Sequence, residues 1–135
     1  MATVIDLTAS GKIIAAREGL VTFSPAGTSY EMHLISHGYS PKLGVPVHGV
    51  IRVKARKIYT VPSGGLFVTP IFGPPKIIQG RIRFLDEKSM VLHAGGNILV
   101  EFPEDDAAFD LVNGPLAVGK LANVVAWPGA TFEPA

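Results

Sequence analysis

Apolar and polar residues alternate with a period of two over most of the chain, which is the spacing of half-buried β-strands. In the clearest run, Val47 to Tyr59, Ile51, Val53 and Ala55 share one face and Arg52, Lys54 and Arg56 the other. Strict alternation also puts Tyr59 on the face opposite Arg52, among core residues. Lys76 to Leu85 repeats the pattern, with Ile78, Ile82 and Phe84 inward and Gln79, Arg81 and Arg83 outward. Shorter strands are predicted at Lys12–Ala16, Leu20–Ser24, Ser29–His37, Leu66–Phe72, Ser89–His93, Asn97–Phe102 and Lys120–Trp127, with Thr3–Leu7 as an additional edge.

Turn residues divide these runs. Gly64-Gly65 and Gly95-Gly96 each sit between β-rich segments and predict hairpin turns, where positive φ favours glycine; Ser10-Gly11 and Ala26-Gly27 predict the same earlier. Pro74-Pro75 must leave the sheet, because proline donates no ladder hydrogen bond. One helix is predicted over 104–112. Glu104, Asp105 and Asp106 suit the positive end of its dipole, Ala108, Phe109, Leu111 and Val112 form an apolar stripe, and Asn113-Gly114-Pro115 stops it. The expected architecture is one all-β domain over 1–135, either a small barrel (OB-like or related) or a two-sheet sandwich, of eight or nine short strands with this one helix.

A shift of thirty-one residues aligns Val47–Ile71 with Ile78–Phe102 without a gap, placing Gly49 on Gly80, Arg52 on Arg83 and Gly64-Gly65 on Gly95-Gly96, with six of twenty-five positions identical. This suits either a repeated strand unit, an internal repeat of 47–71 and 78–102, or two unrelated hairpins that share the pattern of glycine turns. The order of strands over Lys76–Phe102, then a helix, then Lys120–Trp127, is similar to the order in which an OB-fold barrel presents its first elements. That resemblance is topological, covers about the last sixty residues and finds no fifth strand after Trp127.

Composition narrows the function classes. The chain has 135 residues and no cysteine, which excludes a disulfide framework, a cysteine nucleophile and thiolate metal sites. Charged residues make up 17%, below the roughly 25% of ordinary domains, while hydrophobic residues reach 47%. Such a chain is expected to hide surface in a homo-oligomer or to carry an apolar binding face. Asp6, Lys12, Arg17 and Glu18 interrupt any signal-peptide core, so a cytoplasmic location is expected. The longest uncharged run, Ile58–Pro75, has eighteen residues, but its four prolines and three glycines exclude a membrane helix, and no membrane partner is expected.

The net charge of +1 conceals an asymmetry. Nine basic and two acidic residues lie between Lys42 and Lys88, leaving three basic and nine acidic residues elsewhere. Were the two long strands adjacent, Arg52, Lys54, Arg56, Arg81 and Arg83 would form one basic outer face, the candidate site for a polyanion such as single-stranded nucleic acid. Single-strand binding also calls for aromatic platforms, and strict alternation interleaves none with Arg52, Lys54 and Arg56.

Other chemistry is poorly supported. His33 and His37 share a strand face but stand about 13 Å apart along it, too far to chelate one ion. A metal site would need His48 or His93 from other strands, with Glu31 as a further candidate ligand, and no cofactor or metal is expected. The five acids between Glu101 and Asp110 read as helix-start and solvent-face charges. No nucleophile elbow, Gly-x-Gly-x-x-Gly or Walker pattern occurs, so no catalytic residue is assigned. The leading expectation is a non-enzymatic, self-associating β-barrel module that binds a ligand or supports a larger structure. The alternatives are an OB-like polyanion binder and a small metal-dependent barrel using histidine and acidic residues.

Overall fold

The computed structural model describes residues 6–135, and among these it has twelve strands in one sheet and no α-helix. In chain order the strands are β1 (Ala9–Arg17), β2 (Leu20–Pro25), β3 (Glu31–Ile35), β4 (Pro46–Val61), β5 (Phe67–Thr69), β6 (Phe72–Gly73), β7 (Ile77–Leu85), β8 (Ser89–His93), β9 (Asn97–Glu101), β10 (Phe109–Asp110), β11 (Leu121–Ala126) and β12 (Thr131–Pro134). The all-β expectation holds, and the alternating runs located most strands to within a few residues. Of the proposed edge at Thr3–Leu7, residues 3–5 lie outside the described residues, while Asp6 and Leu7 carry no strand.

The sixteen-residue β4 organises the sheet by pairing along both edges. One edge takes β1 against 46–49, then β9 in parallel against 51–54, then β10 in parallel against Ile58 and Tyr59. The other takes β12 against 49–52 and β11 against 55–61. The pairings return to β4 in two circuits. One runs β4-β1-β2-β3-β12-β4, and the other β4-β11-β7-β8-β9-β4.

Inward side chains of both circuits merge into one core. Ile13, Phe23, Met32, Leu34 and Phe132 are fully buried in the first circuit, Ile78, Ile82, Met90, Leu92 and Ile98 in the second, and Ile51 and Ile58 on the shared strand. Phe23 stacks on Phe132 at 5.0 Å between ring centres, and Tyr39 lies tilted to Phe132 at 6.1 Å. The buried polar side chains are Ser36, Thr60 and Gln79.

Several sequence expectations are corrected. The helix at 104–112 is only a 3-10 turn, Asp106–Ala108, started by the Asp105 carboxylate accepting from Ala107 N. Phe109 and Asp110 are instead captured by β4 as β10, and the Phe109 ring meets Phe102 edge-on at 5.5 Å. Of the expected apolar stripe only Phe109 packs against the core, while Leu111 and Val112 remain exposed. Gly64-Gly65 does not close a hairpin, because β5 pairs with β7 and not with β4. Ser10-Gly11 is strand, not turn: Gly11 faces Pro25 with no space for a Cβ against Ser24 O. Gly95-Gly96 does close the β8-β9 hairpin, with Gly95 at φ +78. The strand expected over Leu66–Phe72 divides at Pro70, and β12 forms after Trp127 where none was expected.

Candidate functional site

A bulge in β4 sets the outer surface. Its partner β11 pairs Val125 with Lys57 but Ala126 with Ala55, so Arg56 is an extra residue that no partner faces. The buried positions accordingly change parity, from Ile51, Val53 and Ala55 before the bulge to Ile58 and Thr60 after it. Arg56 and Lys57 are both exposed, and Tyr59 turns to the outer side and stays half-buried. This overturns the expectation that Tyr59 belongs to the core. It also supplies an aromatic beside the cations: Lys57 Nζ lies 5.3 Å from the Tyr59 ring centre, and Arg56 Cζ lies 5.8 Å from that of Trp127.

Trp127 is held at the end of β11, where its N–H donates to Lys54 O at 2.8 Å, and its indole is 51% exposed. Beside it runs a groove of about 550 Å³ floored by Pro74, Pro75, Ile77, Val125 and Pro128, with Arg56 and Lys76 on its rim. On the other side of Arg56 a polar depression of about 460 Å³ is bordered by Lys57, Tyr59 and Asp105. Arg56 lines both, so the two form one surface.

The five cations expected together are separated. β11 lies between β4 and β7, and Arg81 stands opposite Leu121, which stands opposite Val61. Arg52 is nine residues from Val61 along β4, roughly 30 Å at strand spacing. Arg52 is also neutralised, 3.1 Å from Glu101 and 3.7 Å from Glu133, the only ion pairs among the described residues. Arg81 donates to Gly119 O at 3.0 Å, and Arg83 projects from a second bulge, between Ile82 and Phe84 of β7. Lys54 and Arg56 remain exposed, joined by Lys57 and Lys76. Sequence alternation missed Lys57, Tyr59, Lys76 and Trp127 as site residues. The available signal was Arg56-Lys57, two consecutive cations where strict alternation leaves room for one on the solvent side.

The histidines are dispersed. His33 and His37 are exposed, His48 Nδ1 lies 2.8 Å from Ser10 Oγ across the β1-β4 pairing, and His93 Nδ1 lies 3.1 Å from Asn97 Oδ1. Among the described residues no three of His, Asp and Glu converge as a metal would require. Two carboxyls titrate below their ordinary range. The Thr8 hydroxyl, then the Thr8 amide, hold Asp6 down, and the amides of Lys88 and Ser89 hold Asp86 down.

No helix among the described residues is long and apolar enough to cross a membrane. The chain matches no known protein family, no curated protein and no solved structure.

Proposed function

We propose that the chain is a polyanion-binding module and not an enzyme, built as two small OB-like barrels that share β4. The order and direction of pairing support the architecture. In the first circuit β1, β2 and β3 form an antiparallel meander, β12 pairs in parallel with β3, and β4 closes back to β1. In the second β7, β8 and β9 form the meander, β4 pairs in parallel with β9, and β11 closes back to β7. Each is a five-strand Greek-key order of the OB kind. The strand that the OB resemblance lacked after Trp127 is supplied to the second circuit by β4, from earlier in the chain. The equivalent meanders in this reading are β1-β2-β3 and β7-β8-β9, a different correspondence from the thirty-one-residue shift that matches β4 to β7.

The observation that carries the function is the bulge at Arg56, which turns Lys57 and Tyr59 outward to join Arg56 beside Trp127 and Lys76. None of the three cations is within ion-pair distance of a described acid, so their charge is available to a ligand. Three phosphate contacts predict a log–log salt slope of about −2 to −3. Titration with heparin or a short oligonucleotide at low and moderate salt tests this, and no binding at low salt removes it.

A second reading, self-association, is favoured by one observation. Ile71 and Phe72 are adjacent in the chain and 52% and 62% exposed. Such a patch suits a contact between copies of the chain. Sedimentation at micromolar concentration is expected to give a mass above that of the monomer, and a monomer mass rejects it.

A further inference from the structure

We propose that the groove at Trp127 is a binding site for single-stranded nucleic acid, in which a base stacks on the indole while neighbouring phosphates meet Arg56, Lys57 and Lys76. This rests on the polyanion reading above and goes further, since charge alone would accept any polyanion. Three features of the groove select among them. Its floor is apolar, built from Pro74, Pro75, Ile77, Val125 and Pro128, which no phosphate or sulfate can use but a planar base can cover. The indole stands half out of the surface with its backbone fixed to β4, so it is a platform and not a core residue. Two cations line the same groove, Arg56 with its Cζ 5.8 Å from the ring centre and Lys76, so a strand whose base meets the indole has phosphate partners beside it.

Tyr59 extends the platform. With Lys57 Nζ 5.3 Å from its ring centre, it borders the depression that Arg56 shares with the groove, so a strand crossing Arg56 would meet a second ring. Two carboxylates border the Tyr59 side, Asp105 turned to the amide of Ala107 and Asp110 opposite Tyr59 in the β10-β4 pairing, and neither lines the groove at Trp127. A duplex keeps its bases stacked inside and can reach the cations but not the indole, so the groove discriminates in favour of single strands. The volume of about 550 Å³ lies within the usual range for ligand pockets.

Trp127 is the chain's one tryptophan, so its fluorescence reports this site alone. The experiment titrates the full chain with oligo(dT) of about 8–12 nucleotides, a length within the usual single-strand site range, and with a duplex of equal length, inorganic polyphosphate and polyglutamate. Oligo(dT) is expected to quench the tryptophan and to bind more tightly than the duplex or polyphosphate. Trp127→Ala is expected to weaken oligo(dT) roughly 5- to 150-fold and leave polyphosphate unchanged. Arg56→Gln is expected to weaken both. Trp127→Phe, which keeps a stacking ring, is expected to restore most of the oligo(dT) affinity. Equal affinities for oligo(dT) and polyphosphate, with neither affected by Trp127→Ala, overturn this proposal while leaving the polyanion reading standing. Quenching by polyglutamate as strong as by oligo(dT) also overturns it, assigning the groove to acidic protein. Failure of every polyanion to bind removes both readings.

Discussion

Gly49 of β4 lies directly against the ring of Phe132 of β12, with no space for a methyl group between them and with Glu133 O 2.7 Å from where a Cβ would stand. The contact lies where β1 and β12 pair with opposite edges of the shared strand at the same residue. Phe132 fills the first circuit against Phe23, so this glycine is what allows the core ring to seat under the sheet.

Gly49→Ala is therefore expected to destabilise the chain by about 1–3 kcal/mol, the usual cost of overpacking a filled core. Phe132→Ala is expected to cost about 3–5 kcal/mol by leaving a cavity. Their effects share one space and should be less than additive in a double variant. Urea unfolding of the three variants measures this. Additive losses would show that the glycine and the ring do not compete.

Gln79 tests the outer layer of β7. Its amide donates to Gly65 O at 2.8 Å and accepts from Asn123 Nδ2 at 3.1 Å, and the residue is buried although alternation places it outward. The segment after β4 covers it, with Gly64 so close that a Cβ would come within 2.6 Å of Nε2. Gln79→Leu keeps the bulk but strands both partners, so a loss of about 1–3 kcal/mol is expected. Thermal unfolding reads it, and an unchanged midpoint would place the covering segment outside the cooperative unit.

The β7-β8 turn should depend on acid. Asp86 accepts from the amides of Lys88 and Ser89, both at 2.8 Å, and these bonds hold its carboxyl below the ordinary value. A carboxyl whose folded pKa is depressed stabilises the fold above its unfolded pKa, about 3.9, and that contribution is lost as pH falls through the folded value. The Lys88 and Ser89 amide shifts are expected to titrate together below pH 4, and Asp86→Ala to abolish that titration. A midpoint at or above the ordinary carboxylate value contradicts the assignment.

Arg52 and Arg56 share a strand face yet should behave differently. Arg52 is tied to Glu101 and Glu133 while about a third of its side chain remains exposed, so Arg52→Gln should cost under about 1 kcal/mol of stability. It should also leave polyanion affinity nearly intact. Arg56→Gln should reverse the pattern, leaving stability unchanged and weakening binding several-fold. Paired unfolding and binding measurements on the two variants distinguish them.

The alternation of apolar and polar residues was enough to place most strands, since burying one face of an extended chain demands a period of two whatever the partners are. The glycine at 95 announced its turn because a positive φ is a local requirement. Pairing partners were not legible: nothing local tells β4 to join five other strands, or β11 to separate Arg81 from Val61. The helix at 104–112 had every local signal and failed because β4 offered Phe109 and Asp110 a ladder and nothing covered Leu111 and Val112. β12 escaped notice because a four-residue strand that itself ends in Pro134 carries little pattern, and its place is fixed by Phe132 entering a core built from distant strands. The candidate site follows the same division. The cations at 52, 54 and 56 are visible in the sequence, but only the pairing of β9 and β12 with β4 brings Glu101 and Glu133 to Arg52, and only the bulge against β11 turns Tyr59 out beside Lys57.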